Sequence, residues 1–272
     1  MNHSINPLSL MRSLLRHRHL VWQMTKREVV GRYRGSVLGL FWSFFNPIFM
    51  LAIYTFVFSV VFKAKWGASH SDSKTEFAII LFAGLIVFNL FAEVLNRAPS
   101  LILSNVSYVK KVVFPLEVLP VIAIGSALFH SLVSVIVLLL FNGMVNHVLP
   151  ASVLFLPLVL LPLLVLTLGF AWMLASLGVF LRDVGQTVGI LTTALMFLSP
   201  IFFPASALPE GIREYLFLNP MTFIIEQTRK VLVFGEFPDW QGLGLCLLIY
   251  GAFAWVGYAW FQMTRKGFAD VL

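Results

Sequence analysis

Six long apolar stretches, parted by short polar segments, set the pattern of this 272-residue chain. They cover Val37–Phe62, Phe77–Asn96, about Val121–Phe141, Val153–Leu181, Thr187–Phe203 and Leu243–Met263. A helix needs about 20 apolar residues to cross the hydrocarbon core of a bilayer. The first stretch would run ~39 Å as a helix, so it is predicted to tilt or to extend into the interface. The fourth is predicted to be interrupted by Pro157 and Pro162. The runs are continuous rather than alternating in ~10-residue segments, which excludes a β-barrel. Lipid-exposed backbone must satisfy its own hydrogen bonds, so all six are predicted helices.

Two regions depart from this pattern. In residues 1–36 a polar stripe of Arg12, Arg16, His19, Gln23, Lys26/Arg27 and Arg34 opposes Met11, Leu14/Leu15, Val21/Trp22, Val29 and Tyr33. That spacing predicts one amphipathic helix from Leu10 to Arg34, whose basic face suits anionic headgroups. A spanning stretch follows directly, which favours the bilayer surface over a soluble face. Between the fifth and sixth stretches, Leu208–Leu218 and Thr222–Phe234 are too short to cross and are predicted to be re-entrant or interfacial. Pro209 and Pro220 stand at their starts. Ile224, Ile225, Thr228, Val231 and Leu232 form one face of the second, and Glu226 is placed to pair with Arg229 or Lys230. The expected fold is an all-α polytopic membrane protein with six transmembrane helices. Residues 1–36 form an amphipathic interfacial helix and residues 37–272 the transmembrane domain.

Composition agrees: 59% of residues are hydrophobic and 11% charged, against about 25% charged in soluble domains. This excludes an ordinary cytosolic enzyme, a disordered chain and, despite the net charge of +7, a nucleic-acid binder. The cations read instead as an orientation signal. With six spans, thirteen of them fall on the side of both termini: Arg12, Arg16, Arg18, Lys26, Arg27, Arg32, Arg34, Arg97, Lys110, Lys111, Arg182, Arg265 and Lys266. Six fall on the other: Lys63, Lys65, Lys74, Arg213, Arg229 and Lys230. The positive-inside rule then makes both termini cytoplasmic. Trp66 and Trp240 are expected near the outer boundary, and Trp42 and Trp260 near the inner, as an aromatic belt. Cys246 has no intrachain partner, and the basic N-terminus lacks the pattern of a signal peptide.

No catalytic or metal-binding constellation emerges. The six histidines show no metal-ligand spacing, and neither a GxSxG nor a Walker A sequence occurs. Of the ionisable residues only Glu93 clearly lies at membrane depth; an i,i+4 pair with Arg97 is preferred to a proton-carrying role. The segment 97–120 is predicted to be a structured knob: a short helix, the Lys110–Lys111 pair, and Pro115 and Pro120 flanking Glu117. It reads as a surface anchor on lipid phosphates or as a docking element for a cytoplasmic partner. Gly31, Gly35 and Gly39, and again Gly185 and Gly189, repeat at the four-residue spacing of close helix contacts. The chain holds 27 Phe, 7 Trp and 6 Tyr; aromatic faces suit sugar rings, although packing is the commoner role of any one of them.

Several of these segments, taken in order, resemble the membrane subunits of ABC-2 type exporters, in the branch that moves O-antigen, capsule or teichoic-acid polymers. The resemblance covers nearly the whole chain. It begins with Arg27-Glu28, Arg32-Tyr33-Arg34, Ser36, Gly39, Trp42 and Pro47, and continues through Asn105, Lys110-Lys111, Phe114-Pro115, Glu117 and Leu119-Pro120. Arg182-Asp183, Ser199–Pro204, Leu208-Pro209, Leu218–Pro220 and Glu226 complete it. The usual aromatic before Arg-Asp is displaced, Phe180 being followed by Leu181.

The resemblance implies an ATPase-coupling element made of Asn105, Tyr108, Lys110, Lys111, Phe114, Pro115 and Glu117, with Arg27 and Glu28. It implies a lipid and substrate access region at Arg32, Tyr33, Arg34 and Trp42. Phe41, Phe45, Phe49 and Phe202 are the channel candidates. An outer gate in 205–241 would use Pro209, Tyr215, Pro220, Glu226 and Arg229, with Pro204 at its threshold. It further implies a homodimer with the first and fifth spans at its interface, and two copies of an ATPase subunit that binds ATP and Mg²⁺ in place of this chain. The cargo would be a lipid-linked polysaccharide, and the location the bacterial inner membrane. A drug or small-lipid exporter of the same type is the nearest alternative. An ion-coupled transporter or channel is disfavoured by the lack of buried charge beyond Glu93, and an intramembrane transferase by the lack of a catalytic constellation.

Overall fold

A computed structural model of the chain describes residues 6–62, 66, 75–110, 114–147, 149–216 and 218–272. In order, the helices are α1 (Pro7–Arg16), α2 (Arg18–Arg32), α3 (Trp42–Tyr54), α4 (Glu76–Arg97), α5 (Val106–Lys110), α6 (Leu119–Asn146), α7 (Leu156–Phe180), α8 (Val184–Leu198), α9 (Glu210–Leu216), α10 (Pro220–Arg229), α11 (Trp240–Thr264) and α12 (Phe268–Val271). Among the described residues there is no strand. Five helical stretches are long and apolar enough to cross a membrane: Gly39–Phe58, Glu76–Ser100, Leu116–Asn146, Ala151–Phe180 and Trp240–Val271.

The expected fifth span, 187–203, is shorter than its apolar run. α8 stops at Leu198, where Ser199 turns to extended backbone (ψ 150°). The cause is Pro200, which disfavours helical geometry in the residue before it. The resulting 15-residue helix is about 22 Å long, less than the ~30 Å core. The prolines of α7 do not interrupt it: Pro157 stands in its first turn and Pro162 within a helix that continues to Phe180. The N-terminal amphipathic segment is two helices rather than one, meeting at His17, whose amide donates to Leu15 and Ser13 carbonyls.

α4 is the hub, with nearly every residue from Phe77 to Leu95 buried against its neighbours. It carries apolar side chains all round, as a helix enclosed by other helices should. By contrast α3 and α11 leave most of their surface open. α1, α2, the 97–120 loop and α12 gather at one end of the bundle, and α9 and α10 at the other.

Within the chain, the tightest contacts are set by small residues outside the four-residue repeats. Gly31, Gly35 and Gly39 face open space, and Gly35 and Gly39 have positive φ in the turn before α3. The close approaches are Gly169 with Gly257, where α7 crosses α11, and Gly178, where a Cβ would lie 2.1 Å from the Pro99 carbonyl oxygen. Because backbone blocks that position, Gly178→Ala should destabilise the fold by about 3 kcal/mol, the upper range for overpacking. Gly185→Ala, whose Cβ meets nothing closer than 4.0 Å, should be neutral. Thermal denaturation of the two purified variants in the same detergent checks the contrast.

Candidate functional site

The 97–120 loop is built into the bundle rather than hung from it. After α4 it makes 3₁₀ turns at Ala98–Ser100 and Leu103–Asn105, then α5, then a 3₁₀ turn at Leu116–Val118 that leads into α6. Contacts from α2 and Leu272, and others within the loop, hold it. Arg27 of α2 donates to the Tyr108 hydroxyl (3.1 Å), and Glu28 ion-pairs with Arg97 (2.5 Å). Tyr108 stacks on buried Phe114, centroids 4.5 Å apart. Asn105 closes its own turn by donating to the Leu101 carbonyl, and Lys110 donates to the Leu272 carbonyl.

Glu117 is the pivot of this arrangement and is itself buried. Its carboxylate accepts from Ser13 of α1 (2.9 Å) and from Arg265 at the end of α11 (2.7 Å). Arg265 also donates to the Phe114 carbonyl, and Trp172 of α7 to the Glu117 carbonyl. Glu117 therefore faces its own chain, and an outside partner would meet instead the exposed Leu103, Ser104, Ser107 and Lys110. The sequence did not single out Leu103 or Ser107; an apolar residue at a loop tip was the available signal. Lys111 lies outside the described residues, and Pro115 is half-buried.

A second cluster ties α2 to the bundle. Glu93 forms the expected i,i+4 ion pair with Arg97 at 3.8 Å, and Arg32 reaches the same oxygen more closely, at 2.7 Å. His130 of α6 joins them, its Nδ1 3.2 Å from Glu93 Oε1 and 2.9 Å from Arg32. The local pair is long because Arg97 also engages Glu28 and a closer partner arrives from α2. Tyr33 sets its ring edge-on to His130, and partial burial raises its phenol above the ordinary value. Arg34 and Trp42 are exposed, Trp42 edge-on to Phe45. Phe41, Phe45 and Phe49 succeed one another on one face, with centroids 6.5 and 6.4 Å apart, and all three are exposed. Phe202 lies apart from them, stacked between Phe58 and Phe197.

At the other end, Arg229 is fully buried. It forms the i,i+3 pair with Glu226 (3.0 Å) and donates to the Ile80 and Ile201 carbonyls (3.1 and 3.0 Å). Its guanidinium lies 4.4 Å from the Trp66 ring centroid, a favourable cation–π placement. Trp66, expected in an interfacial belt, is thus buried, whereas Trp240, Trp42 and Trp260 are exposed. Gly84 makes room, since a Cβ there would sit 2.9 Å from the guanidinium. Asn219 caps α10 by accepting from the Met221 amide and donates to Ser199 at the end of α8. Pro220 opens α10 and its carbonyl accepts from Tyr250. Pro204 is half-buried, and Pro209 and Tyr215 are exposed.

Among the described residues no group of three His, Cys, Asp or Glu side chains is placed to hold a metal ion. Residues 19–233 match the model of the family described as ABC-2 type transporter. The chain is 28% identical over 266 residues to the O-antigen export system permease protein RfbA of Myxococcus xanthus, covering 97% of this chain and 99% of that protein. A Klebsiella pneumoniae protein of the same name is 27% identical over 118 residues, 43% of this chain and 42% of its own length.

Arg229 is buried while Glu226 is more than a third exposed, so removing the guanidinium chiefly strands the Ile80 and Ile201 carbonyls, at about 2–6 kcal/mol for the two. Arg229→Ala should fall in that range, and Arg229→Lys should recover only part because an ammonium lacks the guanidinium's planar fork. Denaturation midpoints of the wild type and both variants test this order.

Proposed function

The chain belongs to the ABC-2 type transporter family, and we propose that it is the membrane permease of an ATP-driven exporter of a lipid-linked polysaccharide. The observation that most supports this reading is that the likeness to an O-antigen export permease runs over 97% of the chain. Two copies of the chain form the pore, and two copies of a separate ATPase subunit bind ATP and Mg²⁺ and dock beneath. The protein lies in the bacterial inner membrane with both termini cytoplasmic, an orientation supported by the thirteen-to-six division of cations. α8 completes the sixth crossing together with the segment that follows it.

The steps follow from how charge and apolar surface are arranged. ATP-driven closure of the ATPase pair pushes on the tip of the 97–120 loop. Glu117–Arg265 and Arg27–Tyr108 carry that push into α11 and α2, so several helix ends move together. The lipid-linked polymer is admitted beside Arg32, Tyr33, Arg34 and Trp42, where guanidinium groups suit phosphate oxygens. Its sugars pass Phe41, Phe45 and Phe49, whose exposed ring faces offer contact without hydrogen-bond readout. Phe202 lies near the exit, where α9 and α10 in residues 205–241 form the outer gate. Pro204, Pro209 and Pro220 shape that gate, Tyr215 presents its exposed face, and Glu226 and Arg229 hold it to α4.

Deletion of Asn105–Lys111 should abolish surface display of the polymer while the ATPase still hydrolyses ATP. Immunodetection of surface polysaccharide alongside phosphate release from the purified complex measures both. Undiminished export would refute the coupling role.

A further inference from the structure

The N-terminal helix pair does not close fully on the bundle. A groove of about 1030 Å³ runs between α2, α6 and the first half of α7. α6 lines it from Val121 to Val135, about 21 Å along the helix axis, or two thirds of the ~30 Å hydrocarbon core. Leu128 and Leu132 of α6 and Leu160 of α7 represent its walls, and Trp22 of α2 its rim. α2 meets α6 beside the groove at Thr25, which a Cβ at Gly125 would approach to 2.9 Å. Farther along, Arg32 holds α2 through Glu93.

Charge in the groove is one-sided. Arg18 and Lys26 are the ionisable residues that line it, both on α2 and both exposed, and no carboxylate does. They stand about 12 Å apart along the helix, at the end of the groove that α2 covers. An apolar cleft at bilayer depth offers nothing to water, and left empty it forfeits dispersion contacts on every wall. An acyl chain matches the length and lining, and a phosphate monoanion matches the two cations. A zwitterionic headgroup brings its own cation and gains less.

We propose that this groove is a resident site for an anionic glycerophospholipid, with one acyl chain laid along α6 and its phosphate between Arg18 and Lys26. The lipid then forms part of the seat of α2, the helix that carries Arg27, Glu28 and Arg32. The proposal stands independently of which cargo the chain moves.

Native mass spectrometry of the full-length purified chain tests it, after equilibration with equal amounts of phosphatidylglycerol and phosphatidylcholine of matched acyl chains. The wild type should retain phosphatidylglycerol preferentially, on the order of ten- to thirtyfold, the ratio that two cations near an anionic lipid supply. Arg18→Gln with Lys26→Gln should erase the preference; both side chains are exposed, so this variant keeps the test open if others misfold. Leu128→Trp with Leu132→Trp should remove one tightly held lipid per chain at unchanged helicity by circular dichroism. Equal retention of the two lipids by the wild type would overturn the proposal. So would a full lipid complement on the folded tryptophan variant. A parallel arm with polyprenyl phosphate assigns the groove to a carrier lipid instead, should the tryptophans exclude that probe and leave phosphatidylglycerol bound.

Discussion

A charge placed at bilayer depth must be held by protein, because the hydrocarbon around it offers no partner. In this chain α4 meets that requirement at both of its ends. Near one, the Ile80 carbonyl and the space above Gly84 receive Arg229. Near the other, Glu93 receives Arg32 and His130. The short α10 and the surface helix α2 have little apolar reach of their own, yet each is fastened to the most enclosed helix of the bundle. Remove α4 and both lose the groups that fix them.

The same economy governs the 97–120 loop. Glu117 could have served as a surface carboxylate; instead its oxygens are shared between α1 and the end of α11. Arg265 bonds both that carboxylate and the Phe114 carbonyl, so the loop cannot shift without α11 registering it. On the other flank Tyr108 and Arg97 engage α2. A permease driven by a separate ATPase, as proposed above, needs such a part: rigid enough to transmit a push, and joined to more than one helix.

Much of the helical layout was legible in the sequence because it depends on local properties. Apolar runs marked the helices, and Pro209 and Pro220 marked the starts of α9 and α10. Pro200 even contained the reason α8 stops early, although hydropathy alone extended that helix to Phe203. Pairings were less legible. Glu226 with Arg229 was readable because both lie on one helix. Arg97 with Glu93 was readable for the same reason, whereas Arg32 with Glu93 joins residues 61 apart and was not. The contact of Trp66 with Arg229 was not legible either, because it joins residues distant in the sequence. Close approach between helices was equally hard to read, since it depends on the opposing backbone, which Gly178 meets at Pro99 and Gly31 does not meet within the chain.

The central claim is that this chain moves a lipid-linked polymer only when a separate ATPase drives it. The most direct measurement reconstitutes the full-length chain in proteoliposomes, with and without its co-purified ATPase, and follows protection of an internally displayed lipid-linked glycan from added glycosidase. The account predicts ATP-dependent movement when both proteins are present, none with the chain alone, and none driven by an imposed proton or sodium gradient. Gradient-driven movement by the chain alone would contradict it.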